Sequence, residues 1–191
     1  MQGRMEFGPR ALGGRSIIAD PGSPKMQKQL NLKVKYWESF RPFAPSVLIE
    51  DVSDWFEHEK DRPSMLLAAG VKQDKRLAMT SEEEILFGIE KLNILRSSVP
   101  AITHVDYSTR IQTVHADTNR RYNAVISKFK QKTGCPNVVN TSFNVRGEPI
   151  ICSPSDAFKC FMGTNLGVLA IGNYVFHKYK QDDSLLQSYE E

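Results

Sequence analysis

The sequence predicts one α/β domain, α+β in character: a twisted mixed β-sheet with flanking helices. Three observations predict it. Short apolar runs of strand length alternate with segments of helical period, and the connections between them are short. The third is size, since 191 residues with 40% hydrophobic content supply one substantial core rather than two.

Taken in order, Ser16-Ile17-Ile18-Ala19 reads as a strand stopped by the turn signal DPGSP. Lys25 to Lys33 follows as a short helix with Met26, Gln29, Leu30 and Lys33 at helical spacing. Residues 45–50 form the next strand, and Asp51 to Asp54 offer capping side chains ahead of Trp55 and Phe56. The apolar run at 64–71 is a further strand. Residues 72–100 are charged, hold one helix near Glu82 to Lys91, and make a variable excursion expected to be the least ordered stretch. AITHVD and RIQTV alternate in strand fashion about a turn at Tyr107-Ser108-Thr109. In the clearest helix, Tyr122, Val125, Ile126 and Phe129 make one apolar stripe, and Gly134 ends it. The strand PNVVN leads into the polar loop NTSFNVRGEPI. Beyond it, Ser153 is an N-cap, Pro154 suits the first helical position, and Asp156 completes a capping box. GVLAIGNYVFHKY closes the domain as one long strand or two short ones, ahead of an acidic tail at 181–191.

Bulk properties exclude several classes. No window approaches the roughly 18 apolar residues of a membrane helix, and the charged N-terminus lacks the apolar centre of a secretion signal. The expectation is a cytoplasmic protein without a membrane partner. Cys135, Cys152 and Cys160 form an odd set with no C-x-x-C spacing, so they read as reduced core residues rather than disulfides or zinc ligands. His58, His115 and His177 show no ligand spacing, no metal site is expected, and the familiar nucleotide loops are absent. His104 beside Asp106 reads as a satisfied core histidine ahead of a catalytic base. A net charge of +3 does not by itself announce a nucleic-acid binder.

The distribution of cations says more. GRMEFGPRALGGRS, KVKYWESFRPFAP, and HVDYSTR with NTSFNVRG set basic residues beside Gly, Pro or small polar side chains, where surface charges ordinarily ride on helices. Gly8-Pro9 places Arg10 on a stiff corner, and Gly13-Gly14 permits a close backbone approach. The segment after PNVVN carries more polarity than a turn requires. Two cations about 6 Å apart repel by roughly 3 kcal/mol at an effective dielectric near 20. Several around one cavity therefore call for anions, and arginine suits phosphate because its fork binds two oxygens. A single arginine also has a plainer reading, in which Arg10 or Arg41 pairs with Glu6, Glu38 or Asp20 in a structural ion pair.

These motifs, in order, together with the closing GNYVF, resemble the C-terminal domain of the O-carbamoyltransferases that decorate nodulation factors and antibiotics. The match runs from Gly3 to about His177 and is interrupted mainly across 57–100. It implies a domain over residues 1–180 similar in fold to the YrdC-like threonylcarbamoyl-adenylate synthases. It also implies an enzyme that converts carbamoyl phosphate and ATP, with Mg2+, to carbamoyl adenylate, releasing phosphate and pyrophosphate. The expected partner is a preceding Kae1-like domain of the actin-like ATPase type, absent from these residues, which passes the carbamoyl group to an acceptor hydroxyl. Carried onto matching positions, Lys35 and Arg41 would act on the carbamoyl and leaving phosphate groups. Arg10, Arg110, Thr141, Ser142, Asn144 and Arg146 would bind substrate and nucleotide. One departure is Trp37, where the family commonly has a basic residue. The alternative is a basic-cavity module that binds nucleotide or RNA without catalysis, although nucleic acid is not the expected partner.

Overall fold

The computed structural model describes residues 1–36 and 38–186. Trp37 and the end of the acidic tail lie outside the described residues.

β1 is Ser16–Ala19, as the sequence predicts. α1 covers Met26–Leu30 and continues through a wider π-helical turn, Asn31–Lys35, so the helix starts one residue later and ends two residues later than predicted, and it changes pitch. Tyr36, at φ 52, then reverses the chain in the left-handed region. β2 is Ala44–Leu48 and α2 is Val52–Trp55. Asp51 makes no side-chain cap there, and the chain turns through a 3-10 segment at Ile49–Asp51 instead. β3 shrinks to Ala68–Gly70, because Leu66 and Leu67 face water rather than a neighbouring strand.

The excursion holds two helices where the sequence suggests one: α3, Ser81–Glu84, and α4, Gly88–Leu92. Residues 85–87 separate them, and α4 opens at Gly88, which sits at φ 62. AITHVD is not a strand. Pro100–Ile102 is a 3-10 turn whose Ala101 donates to Pro21 O at 3.2 Å and accepts from Phe43 N at 3.0 Å. These long-range bonds hold it out of a ladder. Tyr107 turns at φ 61, and Ser108 and Thr109 belong to β4, Ser108–Arg110, which pairs with β3.

β5 is Gln112–Val114 and α5 is Arg120–Thr133, capped by the Asn119 side chain and ended by Gly134 at φ 79. Its stripe buries Tyr122 and Ile126 and leaves Val125 exposed. β6 runs Asn137–Ser142, so the first three residues of the polar segment belong to the strand. α6, Pro154–Met162, carries the predicted Ser153–Asp156 capping box. β7, Val168–Ile171, and β8, Tyr174–His177, form a separate hairpin.

The central sheet has the order β1-β6-β2-β5, with β2 and β5 parallel and β6 antiparallel to both of its neighbours. Successive residues alternate faces. Val47 and Val139 enter the core that holds Ala157 and Phe161 of α6 with Leu30 and Val34, while Leu48, Val138 and Val114 pack on Tyr122 and Ile126 of α5. Helices thus cover both faces, as the predicted mixed sheet requires. Cys160 is buried and Cys135 partly so, but Cys152 is exposed ahead of α6 and is not a core residue.

Candidate functional site

Register decides where the motifs meet. Ser16 pairs with Ser142, Ala44 with Asn140, and Ser46 with Gln112. The starts of β1, β2 and β5 therefore share one end of the sheet with the finish of β6. Arg41 precedes β2, Arg110 precedes β5, and the loop from Ser142 to Arg146 leaves β6 at that same end.

Arg10 reaches it through a buried polar network. Asn140 Nδ2 donates to Ser46 Oγ (3.0 Å), Gln112 Oε1 (2.8 Å) and Ala11 O (3.0 Å), and Gln112 Nε2 donates to Leu12 O at 3.0 Å. The segment after Arg10 is thereby laid across the middle of the sheet. Gly13 completes the fit. At φ 118 it presses on α5 so closely that a Cβ would lie 2.4 Å from Tyr122 Cδ1. Glu6 closes the loop from the other side, its carboxylate accepting from Leu12 N, Gly14 N and Arg15 N at 2.8 to 3.1 Å. Sequence reasoning marked the glycines and offered Glu6 as an ion-pair partner, but missed its bonds to the backbone, Ser46, Gln112 and the role of Asn140.

The arginines differ in state. Arg110 is half-buried; burial lowers its pKa, and the nearby Arg10 guanidinium lowers it further. Its Nε is buried without a hydrogen-bond partner among the described residues. Two cations held together with an unmade donor form an environment that an anion relieves. Arg41 is exposed and pairs with Glu38 at 3.1 Å, the plainer reading for this residue. Arg146 is exposed. In its loop the N–H groups of Val145, Arg146 and Gly147 make no hydrogen bond among the described residues, and Gly147 sits at φ 80. Successive unused N–H groups beside a left-handed residue suit an anion.

Lys35 stands apart from the others. It is fully buried, and its ammonium donates to Ser142 O, to Asn144 Oδ1 at 2.7 Å, to Asn144 O at 2.9 Å and to Ser142 Oγ at 3.2 Å. Three hydrogens thus serve four oxygens of one loop. Burial lowers its pKa to about 8. Ser142 and Asn144 are bound to each other as well, Oγ to Oδ1 at 2.7 Å. Thr141 lies within β6 opposite Ile17. His104 is half-buried with its pKa lowered by burial, and Asp106 turns to Ser108 N at 3.0 Å rather than to the imidazole. No group of three or more His, Cys, Asp or Glu side chains converges among the described residues.

The fold is a small mixed α/β domain that gathers cationic side chains and unused N–H groups at one sheet end. The family model for the carbamoyltransferase C-terminus matches residues 1–178, and the chain belongs to that family. It is 61% identical over 180 residues to an uncharacterised protein of Synechocystis sp., covering 94% of this chain and 29% of the relative. It is 42% identical over 181 residues to nodulation protein NolO of Bradyrhizobium diazoefficiens (93% and 29%). With the 3'-hydroxymethylcephem-O-carbamoyltransferase of Streptomyces clavuligerus the identity is 35% over 156 residues (82% and 26%). The chain spans less than a third of these relatives. It is therefore a C-terminal domain of the carbamoyltransferase type, and no helix among its described residues is long and apolar enough to cross a membrane.

Proposed function

We propose that this domain activates carbamoyl phosphate with ATP, forming carbamoyl adenylate for transfer to an acceptor hydroxyl by a Kae1-like domain of the longer protein. The observation that carries the reading is the grouping of Arg10, Arg41, Arg110 and the Ser142–Arg146 loop at one sheet end, with Arg10 close enough to disturb Arg110. Atom balance requires water to release phosphate from carbamoyl phosphate. The resulting carbamate oxygen then attacks the α-phosphorus of ATP, and pyrophosphate leaves.

Both steps move negative charge between phosphate oxygens, so preplaced cations and N–H donors supply the stabilisation. Arg41 exchanges Glu38 for the carbamoyl phosphate, Arg10 and Arg110 take the nucleotide phosphates, and the Val145–Gly147 N–H groups cradle one of them. Lys35 keeps Ser142 and Asn144 in place for this. Mg2+ enters bound to ATP, which agrees with a site composed of cations and amide or hydroxyl groups. The similarity of fold to YrdC-like synthases belongs to the same reading.

The test incubates the chain with carbamoyl phosphate, ATP and Mg2+. Pyrophosphate should appear only with all three, and each substrate should raise the melting temperature. Neither release nor a shift would refute the reading. Arg41→Ala should weaken the response to carbamoyl phosphate at least tenfold, about 1.4 kcal/mol; an unchanged response removes Arg41 from the site.

A further inference from the structure

A cavity of about 990 Å³ is lined by none of Arg10, Arg41, Arg110 and Arg146. It is bordered by Ser16–Ile18 of β1, by Val168–Ala170 of β7 and by Val125 of α5. Both strands present open edges to it. β1 ends the central sheet, and β7 pairs with β8 alone among the described strands. Ile18 is 43% exposed, Val125 43% and Val168 54%, so large aliphatic side chains flank unpaired main chain. Folded proteins ordinarily pair, cover or charge such an edge.

Met1 and Gln2 show how this one is covered. The Met1 amine donates to Ala170 O at 2.6 Å and Gly172 N–H donates to Met1 O at 3.1 Å, the pattern of a parallel bridge opposite Ile171. On the other side Gln2 N–H donates to Gly14 O at 2.8 Å, two residues ahead of β1. One segment therefore reaches both walls, and the gap at this point is one strand wide. Followed backwards from Met1, the same line passes β7 on one side and β1 on the other.

We propose that this cleft seats an extended polypeptide strand running into Met1 from its N-terminal side, parallel to β7 and bonded to both edges, with apolar side chains at alternate positions. Its source is polypeptide supplied ahead of Met1 in a longer form of the protein, because the bridge at Met1 already sets direction and register. The curated relatives, of which this chain covers under a third, carry ample sequence for it. The strand fuses the four-stranded sheet and the β7–β8 hairpin into one sheet by strand addition. It makes the hairpin part of the sheet that bears the cation cluster.

The test compares the 191-residue chain with three extended forms. One carries Thr-Val-Thr-Val-Thr ahead of Met1, one the same extension with both valines replaced by proline, and one Gly-Ser-Gly-Ser-Gly. Amide hydrogen exchange is read at Ile17–Ala19 and Val168–Ala170. The Thr/Val extension should slow exchange at least tenfold at both edges and raise the melting temperature by several degrees, while the proline form, unable to donate from those positions, should do neither. Protection at only one edge, equal protection by all three extensions, or no protection would each overturn the proposal. Protection that grows with protein concentration would overturn the same-chain source.

Discussion

Lys35 is the residue on which the site's stiffness depends, and burial gives it a signature. An unfolded lysine keeps its proton to about pH 10.4, whereas the folded one releases it near pH 8. Between those values the unfolded chain binds more protons, so the Lys35 contribution to stability rises with pH. Relative to Lys35→Met, the parent chain should gain about 1 to 2 kcal/mol between pH 7.5 and 9.5 in urea titrations. A constant difference would mean the ammonium is not desolvated. Over the same range the loop loses its ammonium clamp, and the nucleotide binding that the proposed function requires should weaken as stability grows. Gly13→Ala tests the opposite kind of constraint. Its Cβ would strike the Tyr122 ring at a φ that favours glycine, so denaturation should show a loss of about 1 to 3 kcal/mol. The need for glycine was legible in the Gly13-Gly14 pair. The Lys35 cage was not, because it joins residues 107 and 109 positions apart.

At the scale of elements, local chemistry was readable wherever local chemistry decides. α6 begins where Ser153, Pro154 and Asp156 say it must, and α5 ends at Gly134 because a left-handed terminus favours glycine. Ser153→Ala should therefore cost about 1 kcal/mol, measured by chemical denaturation, with Cys152 N and Ser153 N still held by Asp156. Elements fixed from afar were misread. The run at 101–106 looks like a strand by alternation, yet the amide and carbonyl of Ala101 are taken by Pro21 and Phe43, and the next three amides bond locally to Val99, Pro100 and Ser108. The polar segment after Val139 looks like a loop, yet Asn140 to Ser142 continue the strand. Asn140 is tolerated there because Ser46 and Gln112 on the flanking strands complete its hydrogen bonds. A lone asparagine in a buried strand signals such partners without naming them.

For the whole molecule, the sequence supplied the fold class and the basic segments but not their placement, which is a matter of strand order. The same placement bears on the choice between the proposed catalytic site and a nucleic-acid surface. Arg10 and Arg110 sit together at a sheet end instead of along an open stripe, so affinity for RNA should stay weak and lack the steep salt dependence of a protein that neutralises many phosphates. A steep slope in a salt titration would favour the binding module. The sheet order has a further consequence, for synthesis. β6, among the last strands to leave the ribosome, occupies the slot between β1 and β2, which are among the first. Until residue 142 emerges, the N-terminal strands have no common neighbour, and a fragment ending at residue 136 should show no cooperative melting. The strand that finishes the scaffold also delivers the Ser142–Arg146 loop, so on the proposed function a nascent chain would not display its anion-binding loop before the rest of the domain can support it.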